Sequence, residues 1–183
     1  MLHHSGQQAN LISYHQEKKQ FAHRQIQNSE TINTSINADR LLISIPDIQF
    51  TLVPNTLFHA DSTAAFLSGQ LNETPPNMVA RHSEIASLHA TLVYGVDAHL
   101  LSRLEGLFPN AYITVAAESL LNHWSILRKT EKFHSFTAVY WFKNRVYISL
   151  WKDRKLEVFT GQSITSAEDI AYFTFNILEQ YTD

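Results

Sequence analysis

A chain of 183 residues has room for one domain or two small lobes. Its charged share is low at 17% and its net charge is -3, with no basic stripe, which argues against a nucleic-acid surface. It has no cysteine, which excludes disulfide and thiol chemistry. A hydrophobic share of 44% is ordinary for a globular core, and no apolar run is long enough to span a bilayer. The polar start lacks a positive region followed by an apolar one, so no signal peptide is read. These features give a soluble, cytoplasmic protein with no nucleic-acid and no membrane partner.

In chain order, residues 1–10 read as a disordered start, with His3 and His4 a native beginning or a tag remnant rather than a metal site. Residues 11–27 are ambiguous. Leu11, Ile12 and Tyr14 suggest a strand, and Phe21 and Ile26 fit either a second strand or a poor helix. Residues 28–40 are rich in Asn, Ser and Thr and read as a loop or a weak continuation of the preceding element. Leu41, Leu42, Ile43 and Ile45 form a strand that Pro46 breaks, because proline has no amide to donate. Phe50 and Val53 resume it until Pro54. Asp61 or Ser62 caps a short helix through Phe66 and Leu67. A Pro75-Pro76 loop leads to two strands, near 79–85 and 88–96. Asp97 caps a helix with Leu100, Leu101, Leu104 and Leu107 on one face. Tyr112, Ile113 and Val115 make a strand. Glu118 then opens a helix carrying Leu120, Leu121, Trp124 and Leu127, with Arg128 and Lys129 at the end that the helix dipole favours.

The stretch 134–181 reads as three strands and a helix. Phe136, Ala138, Tyr140 and Phe142 alternate with Thr137, Val139 and Trp141, and both sets are strand-prone, so this strand is expected to be covered on both faces. A Lys143-Asn144 turn leads to a second strand through Val146, Ile148 and Leu150. A turn at Lys152-Asp153-Arg154 leads to a third through Leu156, Val158 and Phe159, which Gly161 ends. Thr165 with Glu168 fits a capping box. Ile170, Phe173 and Ile177 then recur at helical spacing and are expected to pack on the three strands. Strands and helices alternate through the middle of the chain, which makes the fold class α/β with two lobes meeting near Thr130.

The string Thr51-Leu52-Val53-Pro54-Asn55-Thr56-Leu57-Phe58 resembles a motif of an uncharacterised bacterial family with the actin-like ATPase fold. Lys155-Leu156-Glu157-Val158-Phe159, followed by Ala167-Glu168-Asp169-Ile170-Ala171-Tyr172-Phe173 and Leu178-Glu179-Gln180, is similar to a second. The resemblance covers 41–180. It implies two ribonuclease-H-like lobes in tandem, here a degenerate version short at both ends relative to the family. The implied organisation is a disordered start at 1–10, a first lobe at 11–130 and a partial second lobe at 131–183. The family has no assigned activity, so no residue role comes with it.

The chemistry expected of such a fold is thin in the residues. An actin-like ATPase presents a phosphate loop between the first two strands of each lobe. In the second lobe that turn is Phe142-Lys143-Asn144-Arg145, with neither glycine nor acid, and the chain has five glycines in all. A nuclease of this fold needs carboxylates converging on metals. Asp47, Glu118 and Asp169 show no specified arrangement, and helix capping accounts for the last two. There is no G-x-S-x-G. Of ten histidines, His82 and His89 would face opposite sides of strands, and His59, His99 and His123 belong to separate elements. Trp124, Trp141 and Trp151 read as core or lobe-interface residues rather than a base-stacking platform. No catalytic, cofactor-binding or metal-binding residue is therefore assigned, and no cofactor. The expected function is that of a non-catalytic actin-like scaffold acting through protein contacts; the alternative is an ATP-binding enzyme or switch with an atypical site between the lobes. The strand at 134–142 is expected to have one uncovered edge, through which the chain self-associates or takes a protein partner, unless 41–45 or another strand of the first lobe fills the gap.

Overall fold

The computed structural model describes residues 8–15, 20–27, 40–46, 49–69, 77–130 and 134–181. Backbone contacts divide the chain into two compact units, Met1–Ser119 and Leu120–Asp183.

In the first unit, β1 (Gln8–His15) pairs antiparallel with β2 (Gln20–Gln27) and, on its other edge, with β3 (Arg40–Ile45). The ambiguous stretch is thus a hairpin, not a helix. Gln8 to Asn10, expected in a disordered start, are the opening residues of β1 and pair with Gln25 to Gln27. The other residues of that start lie outside the described ones, as does nearly all of the Asn-rich loop.

Pro46 ends β3 as expected, and β4 (Phe50–Pro54) enters a second sheet. That sheet has the order β4-β6-β5, with β5 (Met78–Ile85) and β6 (Ala90–Asp97) forming an antiparallel hairpin. Every residue of β6 from Thr91 to Val96 is buried, so this is the central strand. Gly95 sits there at a close approach of side chains. A Cβ would run into the Met78 side chain and sit 3.1 Å from Leu67 Cδ2. Leu67 belongs to α1 (Thr63–Ser68), which joins Val53 and Val93 in one apolar cluster. Ser62 occupies the N-cap of α1 without a side-chain cap bond; Thr63 Oγ1 donates to Ala60 O at 2.6 Å instead.

Asp97 caps α2 (Ala98–Leu107) by accepting the Leu100 amide at 2.8 Å, and the helix buries Leu100, Leu101 and Leu104. The chain returns as β7 (Tyr112–Val115), which pairs parallel with β3. The first sheet therefore has the order β2-β1-β3-β7, and both edges of β3 are occupied. Helix α3 (Ala116–Thr130) follows at once and contains the division between the units.

The second unit holds the meander β8 (Phe136–Phe142), β9 (Arg145–Lys152) and β10 (Lys155–Ser163), then α4 (Ala167–Tyr181). Both turns have two residues. Asp153 and Arg154 carry φ of 48° and 62°, the left-handed geometry that matches strand twist in a hairpin. β9 is central and buried from Val146 to Trp151. Three sequence expectations need correction here. β8 is not covered on both faces: Val139, Tyr140 and Trp141 are 36%, 41% and 63% exposed. β10 does not stop at Gly161 but continues to Ser163, with Gly161 opposite Tyr147. The helix begins at Ala167, and Asp169, not Glu168, reaches back to the amides of Thr165 and Ser166 at 2.6 and 3.0 Å. The expected helix face is in place. Ile170, Phe173 and Ile177 pack half-buried against Val146, Ile148 and Ile164.

Candidate functional site

One buried polar cluster stands out in the first unit, at the junction of β7 and α3. Tyr112 and Thr114 are two apart on β7 and share a face. Glu118 lies in the first turn of α3, where the dipole favours its charge. Its side chain is 6% exposed and receives three hydroxyls. Oε2 accepts from Ser83 Oγ on β5 and Thr114 Oγ1, each at 2.8 Å, and Oε1 accepts from Tyr112 Oη at 2.6 Å. A carboxylate out of water needs such donors, because an unpaired buried charge costs several kcal/mol. The three bonds join β5 of one sheet to β7 of the other through the helix start. Glu118 is therefore more than a cap acid.

The carboxylate acts on its neighbours. Its hydrogen bond, helped by burial and by its charge, pushes the Tyr112 hydroxyl up to about 12. Burial first, and the Glu118 charge second, also raise the Tyr94 hydroxyl above its ordinary value, while Arg81 opposes the shift. Tyr94 and Thr114 line a cavity of about 90 Å³ in the same unit, with Arg81 and Glu105 paired at 3.2 Å among its lining residues. That volume is below the roughly 300–1,000 Å³ of cofactor pockets.

Tyr112 gives a pH prediction. A hydroxyl whose folded value is raised holds its proton longer in the native state than in the unfolded one. Its contribution to stability is complete below about pH 10 and is lost as pH rises towards about 12. The alkaline fall in melting temperature should be shallower in Tyr112→Phe than in the parent chain.

The other residues weighed from sequence do not gather. Asp47 lies outside the described residues. Asp169 caps α4, and the Thr165 amide and hydroxyl and the Ser166 amide hold its carboxyl below the usual range. Its own backbone amide, then the Ser166 hydroxyl, do the same for Glu168. His82 Nδ1 sits 3.2 Å from Thr63 Oγ1 and its ring lies 4.9 Å from that of Phe58, a packing environment. His89 is in the turn before β6 with φ of 51°. Among the described residues no group of three or more His, Cys, Asp or Glu could hold a metal. Trp151 is fully buried, stacks on Phe136 at 5.6 Å and lies under the Arg128 guanidinium at 5.4 Å. Trp124 is buried against Phe159. Trp141 is exposed and is not core. The turn at Lys143 and Asn144 holds neither glycine nor acid, and Lys143 has φ of 52°.

The motif at 51–58 also has a structural explanation. Asn55 Nδ2 donates to Glu84 Oε1 at 3.0 Å, Asn55 Oδ1 accepts from Thr91 at 2.9 Å, and the Asn55 amide bonds His89 O. It ties the end of β4 to both strands of the neighbouring hairpin.

No helix among the described residues is long and apolar enough to cross a membrane. No curated protein sequence matches the chain. A solved structure from Bacteroides thetaiotaomicron, a protein with actin-like ATPase fold and unknown function, is similar with a TM-score of 0.75 at 16% identity. The match covers 91% of this chain and 70% of that one, so the α/β architecture is that of the actin-like ATPase fold. The family described as protein of unknown function (DUF3822) matches residues 4–182, and the chain belongs to it.

Proposed function

We propose that this chain is a non-catalytic protein of the actin-like ATPase fold, working in the cytoplasm through contacts with other protein chains. The observation that carries the reading is the state of Glu118. It is the one buried carboxylate among the described residues, and three hydroxyls fill three of its roughly four acceptor positions. A base or metal ligand needs a free lone pair directed at its target. Here the donors come from β5 and β7, so releasing them would loosen the link between two sheets. The glycine-free turn at Lys143 and Asn144 supports the same reading, since a phosphate cradle needs close backbone approach. The competing reading, an ATP-binding enzyme or switch, draws on the fold itself. Phosphate release from Mg-ATP decides whether the protein turns ATP over. The purified chain is expected to release no more than buffer does, and release that saturates with ATP would overturn the non-catalytic assignment.

A further inference from the structure

We propose that the cavity beneath the Arg81–Glu105 ion pair is a binding site for a small hydroxylated amino acid, its side-chain hydroxyl held between Tyr94 and Thr114 and its charged head at the rim. The inference goes beyond the proposed function and does not rest on it.

Three parts of the first unit wall the cavity. Arg81 and Tyr94 are direct partners across β5 and β6, so their side chains share one face of the second sheet, and Val96 follows Tyr94 on that face. Glu105 comes from α2. β3 and β7 close the remaining side with Ile45, Thr114 and Val115. Ile45, Val96, Thr114 and Val115 are almost fully buried, whereas Arg81 and Glu105 are half exposed. The ion pair therefore marks the mouth, and the apolar side chains mark the floor.

Two hydroxyls line this cavity, and their hydrogen bonding differs. Thr114 Oγ1 gives its proton to Glu118 at 2.8 Å and keeps its lone pairs, so towards a ligand it accepts. Tyr94 is 8% exposed, and its hydroxyl makes no hydrogen bond to the described residues; the Glu118 and Arg81 charges act on it through space. A buried hydroxyl without a protein partner costs stability unless something in the cavity bonds it. The Tyr94 proton is thus free to be donated. A donor and an acceptor in one small cavity suit a group that both accepts and donates. A ligand hydroxyl does so, and a methyl or a carboxylate does not.

Charge and size narrow the class. Glu105 and Glu118 outnumber Arg81, so a ligand that is a net anion is repelled. The rim pair offers a cation to a carboxylate and an anion to an ammonium. Such a half-exposed pair is held weakly in water, so it can part to take both. A volume of about 90 Å³ is smaller than the roughly 150 Å³ cavity that takes benzene. That suits the short branched side chain of threonine, with its methyl on Ile45, Val96 and Val115 and its zwitterion at the mouth.

The test is a nuclear magnetic resonance titration of the full chain with L-threonine, L-valine and 3-hydroxybutyrate. Valine has a methyl in place of the hydroxyl, and 3-hydroxybutyrate lacks the ammonium. Threonine is expected to shift the amides of Tyr94, Val96 and Thr114 saturably. The other two should bind at least about tenfold more weakly, for one lost hydrogen bond or one unmatched charge. Tyr94→Phe keeps the ring, and should weaken threonine about tenfold while leaving the valine response as it was. Should Tyr94→Phe unfold, Glu105→Gln decides instead. It should weaken threonine and narrow the gap between threonine and 3-hydroxybutyrate. No saturable shift at these amides, equal binding of threonine and valine, or threonine binding indifferent to the substitution would overturn the inference. Neither result bears on nucleotide turnover, which is measured separately.

Discussion

Trp151→Ala should lower stability by about 3–5 kcal/mol, as truncation of a fully buried aromatic does. The indole is at the heart of the second unit. It stacks on Phe136 with planes 12° apart, carries Arg128 over its face, and donates to Ser149 Oγ at 2.9 Å. Truncation opens a cavity, removes the ring pair and leaves a fully buried serine hydroxyl without that donor. A small core cannot redistribute such a loss. The urea midpoint should fall with the slope unchanged, the pattern of lost stability without a changed unfolded state. Trp151→Phe restores part of the volume and the stack but not the donor, and should recover about half of the loss. A midpoint that stayed in place for Trp151→Ala would show that the second unit has another core.

Glu118→Ala should cost about 2–4 kcal/mol. The loss comes less from the missing bonds than from what remains. Thr114 is 2% exposed, and its hydroxyl would be left in apolar surroundings with no acceptor from Glu118. Glu118→Gln keeps the shape and one strong acceptor, and should cost about 1–2 kcal/mol. The ordering Ala worse than Gln separates this network from a carboxylate held for chemistry. A base sacrificed to Gln commonly leaves stability unchanged or improved, because the strain of burying charge is relieved. An increase in melting temperature for Glu118→Gln would therefore speak for a poised group. Removing two of the three donors along with the acceptor, as in Glu118→Leu with Thr114→Val and Ser83→Ala, should recover much of the loss, because the exposed Tyr112 hydroxyl can turn to water.

Much of the second unit was legible because its signals are local. The β8, β9 and β10 alternation, two polar turns and a helical stripe at Ile170, Phe173 and Ile177 all lie within short windows. The errors there have physical reasons. Gly161 read as a stop, yet no glycine in the described structure takes a positive φ, so it behaves as an ordinary strand residue. Thr165 and Ser166 precede adjacent acids Glu168 and Asp169, and either pairing satisfies the capping pattern; the backbone register selected Asp169. Whether both faces of β8 are covered depends on what packs against them, which its own composition does not encode. The Glu118 cluster was half legible. Tyr112 and Thr114 alternate on one strand face directly before the acid, and that pattern was available. Ser83 lies 35 residues away, and only the pairing of β5 within the second sheet brings it to the carboxylate.

The most direct test of the central claim is the melting temperature of the full chain titrated with Mg-ATP. Ligand at about a hundred times its dissociation constant stabilises the native state by ~2.7 kcal/mol. For a chain of this size that raises the melting temperature by roughly 5–10 °C. A non-catalytic protein without a nucleotide site predicts a flat titration, with no difference between Mg-ATP and Mg-sulfate. A saturable rise specific to the nucleotide would contradict it.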